Sequence, residues 1–275
     1  MTRLLLLMLA GSLALATINP RAQSRDKFAP RLIGFDVVEA TIYDMQGAMQ
    51  RGRVTSKELV LQSFARIAFY RNTVNPVISL YQGAIAEAEQ RDLERARGLV
   101  RGPLHGIPIA VKDNINTTFM PTTGGALAFA GYTPPYDAPL VVNLRNAGAV
   151  IIAKTVLTEL ANWVTNGMPG NYSAVGGFGM NPYDPRRDPR AGNDDGRPAM
   201  GVGGSSSGIG TAASLWLGNV GTETSGSILS PANANMLVGI KPTVGLVGRS
   251  GIIPISHSQD TGVRWLGRCA TPPWC

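Results

Sequence analysis

Ile107-Pro-Ile-Ala-Val-Lys112 and Ala149-Val-Ile-Ile-Ala153 are two short apolar runs, and what separates them decides the fold class. Gly106 bounds the first run on one side and Asp113-Asn114 on the other, which predicts a buried strand. Leu140–Ala147 predicts a helix ending at Gly148, and the second run predicts another buried strand. Strand, helix, strand in that order argues for an α/β sheet with parallel pairing.

Upstream, Val37, Val38, Ile42, Met45 and Met49 have helical spacing. Thr55 with Glu58 three residues on reads as a capping box. It opens a helix carrying Leu59, Leu61, Phe64, Ile67 and Ala68. A third helix is expected from roughly Ala84 to Arg97, charged on one side. Downstream, Thr155–Trp163 predicts a short helix. Residues 165–200, rich in Gly, Asn, Pro and Asp, predict a long surface loop. The Gly-Ser stretch 201–210 is expected to lead into a helix through about Leu217. Met236–Ile240 and Gly245–Val247 predict further strand pieces.

The chain has 275 residues, 44% hydrophobic and 16% charged, enough to bury a sizeable core. The net charge is +7, but the densest basic stretch mixes Arg186, Arg187, Arg190 and Arg197 with Asp184, Asp188, Asp194 and Asp195. That is the pattern of a solvated loop, so no nucleic-acid partner is expected. The two cysteines, Cys269 and Cys275, have no metal-ligand spacing. At the N-terminus, Arg3 precedes the apolar run Leu4–Ala10, and Ala14-Leu15-Ala16 offers a small-x-small cleavage site, with Ala22 a less tidy alternative. This predicts a signal peptide at 1–22, a periplasmic or secreted protein, and no stable membrane span after cleavage.

Candidate catalytic groups emerge by elimination. The two histidines are His105, hemmed in by Gly and Pro in a turn, and His257. No HExxH, GxSxG or metal cluster occurs, so a hydrolase needs another base. Lysine remains. Among five, Lys112 and Lys154 each end a buried apolar strand, where desolvation would lower the amine's pKa. The pattern alone does not separate them, and either could instead snorkel to the surface. Gly203-Gly204-Ser205-Ser206-Ser207-Gly208 allows a sharp turn with hydroxyls able to relay a proton or attack, though a plain flexible loop reads the same way. A P-loop would need a lysine after its last glycine, and a dinucleotide site would need a preceding strand and a later acidic residue. Gly221-Thr-Glu-Thr-Ser-Gly-Ser227-Ile228 is a tight turn whose amides could stabilise an oxyanion.

Taken in order, GPLHGIPIAVKDNI, GGSSSG and GTETSGSI…GIKPTVGLV resemble the amidase signature family. IKPTVGLVGRSGIIPISHSQDT is similar to its peptide-amidase-like branch. The resemblance covers roughly residues 100–262. It implies a mixed β-sheet core covered by helices, incomplete at the C-terminus. It implies a Ser-Ser-Lys hydrolase of small-molecule or peptide amides, without metal or cofactor. By motif, Lys112 matches the base, Ser205 the bridging serine and Ser227 the nucleophile. The backbone amides of Thr224, Ser225, Gly226 and Ser227 match the oxyanion hole.

Two departures from the family pattern set further expectations. Ser205 and Ser227 are 22 residues apart, two fewer than the resemblance implies. Two helical residues lost within Ile209–Val220 would turn the downstream segment by about 200° unless a loop absorbs them. After Thr261 the family continues with a Gly-Pro-Met-Ala-Arg-like segment, whereas Val263 onward differs and stops at Cys275. Codons for residues 263–274, read one nucleotide out of register, can spell such a continuation, which predicts a frameshift near codon 262. The expected organisation is a signal peptide at 1–22, a helical region at 23–99, a partial core at 100–261 and an aberrant tail at 262–275. Apolar faces left uncovered would lower solubility. Two other readings are a catalytically inactive truncated remnant and the amide-hydrolysing subunit of an amidotransferase; the leader-like N-terminus argues against the second.

Overall fold

The computed structural model describes residues 34–164, 167–190, 192, 195–204 and 208–262, and the backbone of 266–267. The leader-like run, Ser205 and both cysteines lie outside the described residues. In chain order the elements are α1 (Ile42–Gln50), α2 (Ser56–Val74), β1 (Val77–Leu80), α3 (Ala84–Ala96), β2 (Pro108–Lys112), α4 (Pro139–Asn146) and β3 (Val150–Thr155). There follow β4 (Tyr172–Ser173), β5 (Gly177–Phe178), α5 (Ile209–Ala212), β6 (Gly218–Val220), β7 (Thr222–Glu223), α6 (Leu229–Ala234), β8 (Val238–Gly239), β9 (Thr261–Gly262) and β10 (Leu266–Gly267).

The main sheet runs β1-β3-β2-β6-β10-β8. β2 pairs parallel with both β3 and β6, while β1 and β10 pair antiparallel, so the sheet is mixed. The helix–strand crossover from β2 through α4 to β3 gives the parallel pairing expected from the two apolar runs. Successive residues of these strands serve opposite faces. Ile109, Val111 and Ile151 join Met45, Val141 and Leu144 on one side. Ala110, Val150 and Ile152 join Val60, Ile67 and Ala88 on the other. Covered on both faces, β2 and β3 are buried along their whole lengths, and their lysines with them.

Local signals explain the helix starts. The Thr55 hydroxyl accepts from the Glu58 amide, and the Glu58 carboxylate accepts from the Thr55 amide. The next two amides, of Ser56 and Lys57, donate to the Asp92 carboxylate on α3 at 2.7 and 3.0 Å. Four N-terminal donors of α2 and its cap are thus satisfied, and α3 is tied to α2 in the process. No helix among the described residues is long and apolar enough to cross a membrane.

The structure adds one strand beyond those expected and departs from three local expectations. Val77–Leu80, between the second and third helices, is a strand; it completes the sheet edge against β3. Thr155 closes β3, and the helix expected from there to Trp163 is a single 3-10 turn at Glu159–Asn162 with left-handed Leu160 and Ala161. Residues 245–247 form a turn rather than a strand. The helix expected to reach Leu217 ends at Ala212. Ser214 is left-handed (φ 51°). The Arg66 guanidinium caps the carbonyls of Ala213 and Ser214 at 2.7 and 2.8 Å. Trp216 folds back onto Gly210, where a Cβ would lie 1.9 Å from its ring. The short connection to β6 is accommodated by this reversal.

His105 lies in the expected turn and is fully buried. Its Nε2 pairs with the Arg91 carbonyl at 2.9 Å, and burial lowers its pKa. Gly148 makes room for it: its φ is +88°, and a Cβ there would sit 2.8 Å from His105 Cα. Gly148→Ala is therefore expected to destabilise the protein by roughly 1–3 kcal/mol, from backbone strain plus overpacking. A urea midpoint equal to that of the wild type would contradict this packing.

Candidate active site

Lys112 stands at the end of the central strand β2 with no solvent exposure. Its Nζ donates to Thr222 Oγ1 at 2.9 Å and to the Thr222 carbonyl at 3.3 Å. Asn114, two residues on in the turn after β2, donates from Nδ2 to the same hydroxyl at 3.0 Å. Burial pushes the Lys112 amine down to about 7, against the charges of Asp260 and Glu223, which pull it up.

Lys154, its rival in the sequence pattern, is equally buried but differently engaged. Nζ donates to the Ile115 carbonyl at 2.7 Å and to Thr122 Oγ1 at 2.8 Å, and lies 3.9 Å from Asp113 Oδ1. Burial lowers it to about 8 while Asp113 opposes that shift. Burial raises the Asp113 carboxyl, and Lys154 together with Thr123 and Gly125 holds it down. Asp113 Oδ2 accepts from Thr123 Oγ1 at 2.5 Å and from the Thr123 amide at 3.0 Å. Lys154 and Asp113 thereby fasten the 113–125 segment beneath the site. These partners, distant in sequence, separate the two lysines.

Ser227 lies half-buried on the turn between β7 and α6. Buried Glu223 organises that turn: its Oε2 accepts from the amides of Ile228 and Leu229 at 2.7 and 2.9 Å. The expected oxyanion segment, Thr224–Ser227, lies immediately N-terminal to these engaged amides. Thr224 Oγ1 donates to Asp260 Oδ1 at 2.5 Å. Asp260 Oδ2 in turn accepts from the amides of Ile255 and Ser256 at 2.8 and 3.0 Å. β7 also pairs with β9, so the turn is held from both sides.

The glycine loop packs directly on this turn. A Cβ on Gly204 would be 3.1 Å from Ser227 Cα and 3.2 Å from the Gly226 carbonyl oxygen. Gly203 has φ +86°, and a Cβ there would be 2.4 Å from Pro231 Cα. Only glycine allows backbones this close. The Asn171 carboxamide donates to the Gly204 carbonyl at 2.5 Å and fixes the loop from behind. The structure thus brings the strand of Lys112, the Thr222–Ser227 turn and Gly203–Gly204 together. Ser205 follows Gly204 and lies outside the described residues.

A cleft of about 440 Å³ opens beside these groups. Asn114, Thr222, Thr224 and Asp260 line its polar side, and Ile252–Ile255 form an apolar wall. That wall is stitched to the turn after β2 by bonds from the Ile253 amide to the Asn114 carbonyl and from the Asn116 amide to the Gly251 carbonyl. His257 sits exposed at the rim. Thr222, Asn114, Glu223 and Asp260 received no role from the sequence. The signal available was a lone acidic residue in a turn of small residues, and the Asp-Asn pair after a buried strand. Among the described residues no group of His, Cys, Asp or Glu side chains could hold a metal ion.

Residues 58–263 match the Amidase family. The peptide amidase of Stenotrophomonas maltophilia, solved as the native enzyme, is 45% identical with a TM-score of 0.73; the match covers 82% of this chain and 44% of that one. An amidase family protein from Bacillus anthracis is 33% identical, also at TM-score 0.73, over 82% of this chain and 43% of that one. A putative amidase of Schizosaccharomyces pombe is 40% identical over 248 residues, 89% of this chain and 40% of that protein. The chain spans about two-fifths of the length of the curated relatives it matches.

Lys154→Met would leave the Asp113 carboxyl buried without its cation. It is expected to cost about 3–5 kcal/mol of stability. Urea unfolding checks this, and a loss well under 1 kcal/mol would contradict a fastening role.

Proposed function

The chain belongs to the Amidase family, and on that premise we propose that it hydrolyses a linear carboxamide or peptide amide through Ser227, Ser205 and Lys112. One observation carries the reading. The fully buried Lys112 amine, held at about 7, touches Thr222 in the same turn segment that bears Ser227 five residues on. A base poised near neutral pH is neutral often enough to accept a proton and basic enough to pull one.

In the proposed cycle, neutral Lys112 accepts a proton through the Ser205 hydroxyl from Ser227. The Ser227 oxygen attacks the amide carbon and its carbonyl becomes an oxyanion, stabilised by amides of the Thr224–Ser227 segment. The tetrahedral intermediate expels ammonia or an amine, which leaves with the proton returned from Lys112. Water then attacks the acyl-enzyme by the same relay in reverse, freeing the acid and Ser227. The close packing of Gly204 on Ser227 supports placing the residue after it in that relay.

A peptide or small-molecule amide fits a cleft with one apolar wall and a polar floor. The relative in complex with chymostatin, a competitive inhibitor, is a peptide amidase, which supports the same substrate class here. The Arg3–Ala16 pattern supports work outside the cytoplasm, in the periplasm or medium.

The protein is expected to release ammonia from a peptide amide, with Ser227→Ala lowering the rate by about 10³-fold or more. Because neutral Lys112 is the reactive form, kcat/KM is expected to rise as pH passes upward through about 7. Undiminished release by Ser227→Ala, or a flat profile between about pH 5 and 9, would contradict the reading.

A further inference from the structure

We propose that Asn114 is a positioning residue that holds Lys112 in its neutral form by competing with it for the Thr222 hydroxyl. The inference rests on the reading of Lys112 as the base.

The geometry is specific. Asn114 is 2% exposed and lines the cleft, and its backbone carbonyl is fixed to the Ile253 amide at 3.0 Å. Its Nδ2 and the Lys112 Nζ converge on one oxygen, Thr222 Oγ1, from 3.0 and 2.9 Å. A carboxamide nitrogen and an ammonium are both donors without acceptor capacity, and a hydroxyl oxygen has two lone pairs. Each donor therefore weakens that oxygen as an acceptor for the other. A neutral amine depends less on acceptors than an ammonium does. The shared oxygen thus penalises the charged form and favours the form that can take a proton.

The surrounding charges make such a device useful. Asp260 and Glu223 both act on Lys112 in favour of the ammonium. Asp113, next in the chain, turns its Oδ2 to Thr123 and Gly125. Lys154 on β3 directs its donors to Ile115 and Thr122. The Thr222 carbonyl, which Nζ also reaches at 3.3 Å, acts in the same direction as the two carboxylates, and burial and the donor end of Asn114 act against them. A fastening role does not account for this side chain, because its Oδ1 is buried without a hydrogen-bond partner among the described residues. A buried orphan acceptor costs free energy that an apolar side chain of similar shape would avoid.

The test reads Lys112 directly. The full-length protein is labelled with carbon-13 at the lysine ε-carbon and titrated by NMR, the Lys112 signal being assigned by its loss in Lys112→Met. Asn114→Asp replaces the donor with an acceptor-only group of the same shape, but its negative charge favours the ammonium by itself, so it serves as the control that the Lys112 midpoint can move. Asn114→Ala removes the competitor without adding charge and decides the proposal. It is expected to raise the Lys112 midpoint by about half a pH unit, roughly a threefold change, and to carry the acid limb of kcat/KM with it. If Asn114→Ala does not fold, Asn114→Leu takes its place. The Lys154 midpoint should stay in place in the uncharged variant. A Lys112 midpoint that is unmoved or lowered there overturns the proposal, as does a Lys154 midpoint that moves equally far, since the effect is then general. The midpoint needs no turnover, so an inactive protein would sink the hydrolase reading without deciding this one.

Discussion

A lysine amine with no exposure to water cannot cheaply keep its charge, and the site is arranged around that cost. The strand that carries Lys112 is central in the sheet and covered by helices on both faces. Burial favours the neutral amine, and the nearby carboxylates of Asp260 and Glu223 pull the other way. Both carboxylates are committed to backbone amides, and Asp260 also to Thr224. Their charge acts on the amine while their oxygens hold the turn of Ser227 in shape. A tight ion pair would instead fix the ammonium and remove the proposed base.

The second constraint is backbone proximity. Gly203 and Gly204 meet the 226–231 segment at distances that a Cβ would strain or violate. This contact involves no side chain of its own, so its strength lies in excluding alternatives. Gly203 and Gly204, anchored by Asn171 and seated on the 226–231 backbone, have few conformations left, which is what the proposed relay between fixed groups would require.

Much of this frame was legible in the chain. IPIAVK and AVIIA are buried parallel neighbours because both faces of the sheet are covered, and uninterrupted apolar runs carry that signature. Thr55 and Glu58 cap α2 as their spacing implies. Local pattern failed where distant contacts decide. Val77–Leu80 is too short to announce itself between two helices and exists as a strand because β3 offers it an edge. The helix after Gly208 stops at Ala212 because Arg66, far upstream, caps it and Trp216 folds back over Gly210. Lys112 and Lys154 are indistinguishable in sequence, since their partners lie 110 and 39 residues away. The family resemblance pointed to Lys112, but Thr222 and Asn114 as its neighbours came only from the fold.

In the proposed site a buried neutral lysine activates Ser227. The most direct measurement is the rate at which a fluorophosphonate, a serine-directed acylation mimic, modifies the protein as a function of pH, with the modified residue located by peptide mass mapping. Labelling is expected at Ser227, with a rate that rises through a midpoint near 7 and collapses in Lys112→Met. Labelling at another residue, or a rate at Ser227 that ignores both pH and Lys112, would contradict the claim.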